Sequence, residues 1–77
     1  MGEIYQMSPD CIIVNSNGAE MTVNPINGNV GVYASHPNAA TKTYFNKVLR
    51  DIGIDKRIAF VGGSDNQFDV IPLEDVI

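Results

Sequence analysis

Two Asn-Gly dipeptides ten residues apart, Asn17-Gly18 and Asn27-Gly28, constrain this chain more than any other feature. Both central residues of a type I′ turn take positive φ, which Asn tolerates and Gly adopts freely. Asn-Gly between apolar runs therefore predicts a two-residue hairpin. Taken literally, the first turn sets Val14 opposite Met21 and Ile12 opposite Val23. The second sets Val23 opposite Val32 and Met21 opposite Ala34. Residues directly opposite share a face of the sheet, so both turns select the same face of the middle strand.

That face carries Ile12, Val14, Met21, Val23, Pro25, Val30, Val32 and Ala34, all apolar. The other carries Cys11, Ile13, Asn15, Glu20, Thr22, Asn24, Gly31 and Tyr33, mostly polar. A one-residue slip in either hairpin would undo this sorting. Pro25 fits the middle strand only if its nitrogen points past the start of the first strand, at the level of Asp10.

From Ala39 to Ile52 the period changes. Tyr44, Phe45, Val48, Leu49 and Ile52 fall on one side at about 100° per residue, with Thr43, Asn46, Lys47, Arg50 and Asp51 on the other. Pro37 suits a first helical turn, and Ser35 or Asn38 can cap it. Gly53 fits the left-handed position that ends a helix, and Ile54 the apolar residue that closes back on the last turn. Arg57 to Val61 then reads as a strand, Gly62 to Asn66 as a loop, and Gln67 to Pro72 as a returning strand. Leu73 to Ile77 is expected to fray or to form a short helical turn.

The predicted fold is thus a single α+β domain over residues 1–77, with strands at 11–16, 19–26 and 29–35, a helix at 38–52, and strands at 57–61 and 67–72. The order β-β-β-α-β-β places one amphipathic helix on the apolar face of an antiparallel sheet. The first strand, Cys11 to Val14, has no internal charge to protect an edge. Either the C-terminal strands flank it or it pairs with a second copy, giving a homodimer through the sheet edge.

The net charge of −4 is unevenly spread. Residues 1–41 hold no Lys or Arg, whereas Lys42, Lys47, Arg50, Lys56 and Arg57 all fall within residues 42–57. Overall acidity argues against general affinity for nucleic acid, while a local basic face suits an anionic partner. No apolar run approaches the roughly 20 residues that span a bilayer. The start lacks a basic region followed by an apolar stretch, so no signal peptide is read there. A cytoplasmic chain with no membrane partner is expected.

Catalytic candidates are few. His36 stands alone between Ser35 and Pro37, where turn geometry explains it, and general-base chemistry would need a positioned partner. Cys11 is the only cysteine and lies in an apolar run, where it behaves as a small hydrophobe. Gly62-Gly63-Ser64 is followed by a strand and not by the helix that a phosphate-binding turn needs. Asp65, Asn66 and Asp69 lack the spacing of a calcium loop. No metal and no cofactor is expected, and the chain is read as non-enzymatic.

Two surfaces remain. One is the row Ile13–Thr22–Tyr33 on the outer face of the sheet, apolar and aromatic where water was expected. The other is the helix face of Lys42, Lys47 and Arg50. Together they suggest a protein-binding accessory module that docks on a larger host or cognate protein. By compositional analogy alone, acidic single-domain chains of this length are typical of accessory proteins of bacteria, phages and mobile elements, inhibitors of host systems included. A nucleic-acid-associated protein using the basic 42–57 segment is the alternative reading, and a small hydrolase or nuclease using His36 is the third.

Overall fold

A computed structural model describes residues 2–61 and 67–76. Strands β1 (Glu3–Ser8), β2 (Cys11–Ser16), β3 (Ala19–Val23) and β4 (Val30–Ala34) form a four-stranded antiparallel sheet in that spatial order. Helix α1 (Ala39–Asp51) follows, then β5 (Lys56–Phe60) and β6 (Phe68–Pro72), which pair with each other in a second sheet. A 3-10 turn, Leu73–Asp75, comes after β6. Over the described residues the fold is α+β with one α-helix, as the sequence predicts, but with a strand more and with its strands divided between two sheets. Gly62 to Asn66, including the glycine-rich turn and the acidic loop, lies outside the described residues.

The first Asn-Gly corner forms as predicted. Asn17 and Gly18 both take positive φ, 51° and 78°, and Val14 pairs with Met21 and Ile12 with Val23. The second corner differs. Gly28 has φ of 78°, but Asn27 does not enter the left-handed region. Asn24 captures this turn. Its side chain accepts hydrogen bonds from the amides of Ile26 at 2.9 Å and Asn27 at 3.2 Å, and its own backbone bonds with Gly28 and Asn29. Pro25, with φ preset and no N–H to lose, suits the position after Asn24. The loop therefore consumes residues 24–29. Pro25 sits in the turn and not in the middle strand, and Val23 pairs with Val30, Met21 with Val32 and Ala19 with Ala34. This is a slip of two residues from the expected register. A sheet repeats every two residues, so every side chain keeps its face.

β1 was not expected. The dipeptide Pro9-Asp10 does not merely begin β2; it turns the chain between β1 and β2. Neither residue has positive φ, and the ladder shifts register between Gln6 and Ser8, so that Met7 is the extra residue. A turn without left-handed residues splays the strands it joins, and a bulge absorbs the mismatch. β2 is consequently an interior strand. Neither the C-terminal strands nor another chain is needed at its side.

Helix α1 lies over the apolar face, with Phe45 and Leu49 buried among Val14, Met21 and Val23. Asn38 caps its start, accepting from the Thr41 amide at 2.8 Å. Its end is a Schellman motif: Gly53 N–H donates to Arg50 O at 3.1 Å, Ile54 N–H donates to Leu49 O at 2.9 Å, and Ile54 is buried. β5 and β6 extend the core with Ile58 and Phe68, the Phe68 ring meeting Phe45 edge-on at 6.5 Å. Ile52, expected in the core, is 39% exposed at the helix cap.

Candidate functional site

The five basic residues are close in sequence but not equivalent in space. Along α1 the spacing of Lys42, Thr43, Asn46, Lys47 and Arg50 puts them on one solvent-facing flank. In β5, neighbouring side chains alternate sides, so Lys56 and Arg57 diverge. Arg57 joins the helix flank, and a depression of about 400 Å³ is lined by Lys42, Thr43, Asn46, Lys47, Arg50 and Arg57. Lys56 instead lies beside Asp55, Leu73 and Glu74.

This arrangement depends on Asn46. Its side-chain NH2 donates to Ile58 O at 3.1 Å, and its carbonyl oxygen accepts from Ile58 N–H at 2.7 Å. The amide thus occupies both backbone groups that Ile58 presents at the open side of β5, as a neighbouring strand would. Helix and hairpin are locked side by side, and the cations from each element are held near one another.

The cations differ in how free they are. Lys47 bonds to Asp51 at 3.1 Å, an exposed pair one helical turn apart. Lys42 holds its ammonium 5.2 Å from the centroid of the Phe60 ring. Arg57 donates from Nη1 to the carbonyls of Ile54 at 2.7 Å and Lys56 at 2.6 Å, which fixes its fork; among the described residues its other guanidinium donors meet no protein acceptor. Arg50 is exposed. Beside the basin runs a groove of about 430 Å³ lined by Ile58, Ala59, Ile71, Asp75 and Val76, which shares Lys42, Asn46 and Arg57 with it. Cationic and apolar recognition elements adjoin. No stretch of the sequence joins them, since Ile71 and Val76 reach the groove only through the return of β6.

The outer face of the sheet is less coherent than expected. The two-residue slip breaks the row Ile13–Thr22–Tyr33. Thr22 still pairs with Ile13, but its other neighbour is Gly31, while Tyr33 pairs with Glu20. β1 adds Tyr5 beside Ile13, which is half-buried. Tyr33 remains 70% exposed, in an acidic setting with Glu3, Asn15 and Glu20 around a shared hollow. The Tyr5 hydroxyl donates to Glu3, which raises its pKa above the ordinary phenol value.

His36 is exposed in the turn before α1. Cys11 is half-exposed on β2 and lines a hollow of about 450 Å³ with Asp10, Thr22, Asn29 and Gly31. Among the described residues no cluster of His, Cys, Asp or Glu could hold a metal ion, and no helix is long and apolar enough to cross a membrane. No family model matches the chain, and neither a curated protein nor a solved structure matches it.

Proposed function

We propose that this chain is a non-enzymatic docking module, an adaptor or inhibitor that binds an acidic segment of a larger protein in the basin between α1 and β5. The observation that supports this reading is the grouping of Lys42, Lys47, Arg50 and Arg57 around one depression in a molecule whose net charge is −4. Like charges held together repel, and a partner of opposite sign relieves that repulsion. The adjoining groove, lined by Ile58, Ala59, Ile71 and Val76 together with Asp75, offers an apolar, uncharged side chain of the same segment a place to anchor. An acidic peptide with an aliphatic residue matches both parts.

Phosphates would satisfy the same cations, and nucleic acid is the competing partner. Single-stranded nucleic acid is held by aromatic faces interleaved with basic residues. Here the ring nearest the basin, Phe60, is only half-exposed and already faces Lys42.

The test is a titration of the full chain with a Glu- and Leu-containing peptide, a Glu-only peptide and oligothymidylate at matched charge. Tightest binding to the Glu/Leu peptide, lost in Arg50→Glu, is expected. Equal affinity for oligothymidylate, falling steeply with salt, would transfer the site to nucleic acid. Binding of none of the three would remove the basin as a docking site.

A further inference from the structure

The open edge of β1 is a second interaction surface, and its backbone pattern states how it would be used. In a two-residue hairpin the residues flanking the turn, Ser16 and Ala19, form a hydrogen-bonded pair. Counting back, Ser16, Val14 and Ile12 direct their backbone groups toward β3, and Ile13 and Asn15 direct theirs toward β1. The Asn24 N–H to Asn29 O bond at 2.8 Å lies in phase with this count. Tyr5 and Glu3, opposite Ile13 and Asn15, therefore bond inward to β2. Ile4 and Gln6 point their N–H and C=O groups outward from the sheet.

β1 is weakly defended as an edge, its one charge, Glu3, standing at the start of the strand. It contains no Lys and no Pro, and the bulge comes only at Met7, after the outward-pointing residues. Ile4, Tyr5 and Met7 are 55%, 45% and 64% exposed. β5 contrasts with it, because Asn46 covers the outward groups of Ile58.

We infer that β1 pairs antiparallel with β1 of a second copy, Tyr5 lying opposite Tyr5 about a two-fold axis. In this register the outward groups of Ile4 meet those of Gln6 of the second copy, and the reverse. Glu3 falls opposite Met7, so the acids are kept apart. Moving the axis to Gln6 would set Ile4 against Ser8, whose backbone groups the bulge has turned inward toward Cys11. Moving it to Ile4 would pair Gln6 with Gly2, beyond the strand. The two four-stranded sheets become one continuous sheet, and the α1–β5 basin is not involved.

The test combines light scattering with cysteine cross-linking, both on the full chain. Wild type shifts from monomer toward dimer between micromolar and near-millimolar concentration, and Tyr5→Lys, which sets two ammonium groups face to face, stays monomeric. In a Cys11→Ser background, Tyr5→Cys forms a disulfide-linked dimer under mild oxidation, because directly opposed, non-hydrogen-bonded residues lie within disulfide reach. Ile4→Cys cross-links far more slowly, being offset along the strands from its own copy. A strictly monomeric wild type, or cross-linking through Ile4 equal to or faster than through Tyr5, overturns the inference.

Discussion

The two halves of this molecule are held together by different means. The four-stranded sheet, residues 3–34, is built from turns between neighbouring strands, and it contains no Lys or Arg. The helix and second hairpin, residues 39–76, contain every cation and are joined by a side chain acting across the fold, Asn46 on Ile58. The first half depends on local backbone chemistry, and its surface is neutral to acidic. The second depends on tertiary contacts, which gather the charges that the docking reading uses. Architecture and charge divide along the same line.

The largest expected effect comes where the halves share a core. Phe45 is fully buried between the sheet and Phe68. Phe45→Ala should cost about 3–5 kcal/mol in urea unfolding, with both halves melting together. A sheet that outlasts the helix in that variant would make the halves independent. Asn46→Ala comes next. It leaves the backbone groups of Ile58 without their partner, at about 1–3 kcal/mol. Amide exchange should quicken at Ile58 and stay slow at Met21, and uniform quickening would dissolve the distinction between the halves.

Within the sheet, the two Asn-Gly corners should respond unequally. Asn17→Val forces a β-branched residue into the left-handed region and should cost about 1–2 kcal/mol. Asn27→Val removes only the exposed bond from Asn29 N–H to its side chain, 2.9 Å long, and should cost about 0.5 kcal/mol, the low end for such a bond. Equal losses measured by thermal unfolding would mean that both corners are type I′. The smallest effect belongs to Lys47→Met. Its exposed pair with Asp51 should be worth no more than about 0.5 kcal/mol, so stability barely moves while any loss of binding is plain.

How far the sequence could be read follows from the same division. The Asn17-Gly18 corner and the Gly53-Ile54 stop are local rules, and both were legible; the cap was narrowed only to Ser35 or Asn38, and with Asn38 in that place Pro37 precedes the helix instead of entering its first turn. The Asn27-Gly28 corner misled because Asn24 and Pro25, three and two residues upstream, formed a competing turn. The face assignment survived only because the slip was an even number. β1 was missed because every residue from Glu3 to Met7 is exposed and leaves no burial alternation; Pro9-Asp10 was the available signal. That extra strand closed the expected open edge of β2 and moved it to β1.

The candidate site was half visible. Lys42, Lys47 and Arg50 share a helix face by spacing alone. The partnership with Arg57 needed the distance between α1 and β5, which Asn46 sets and which no local pattern encodes. The outer-face row failed for the opposite reason, since its membership rested on one register, and that register moved.

The most direct test of the basin compares two adjacent lysine and arginine positions that the fold sends to opposite sides. Lys56→Gln and Arg57→Gln each remove one positive charge, one residue apart. If the basin is the docking surface, Arg57→Gln weakens binding of the Glu/Leu peptide several-fold and Lys56→Gln leaves it near wild type, with both variants folded by thermal unfolding. Equal weakening in the two would show that only overall charge matters, and no built site would remain.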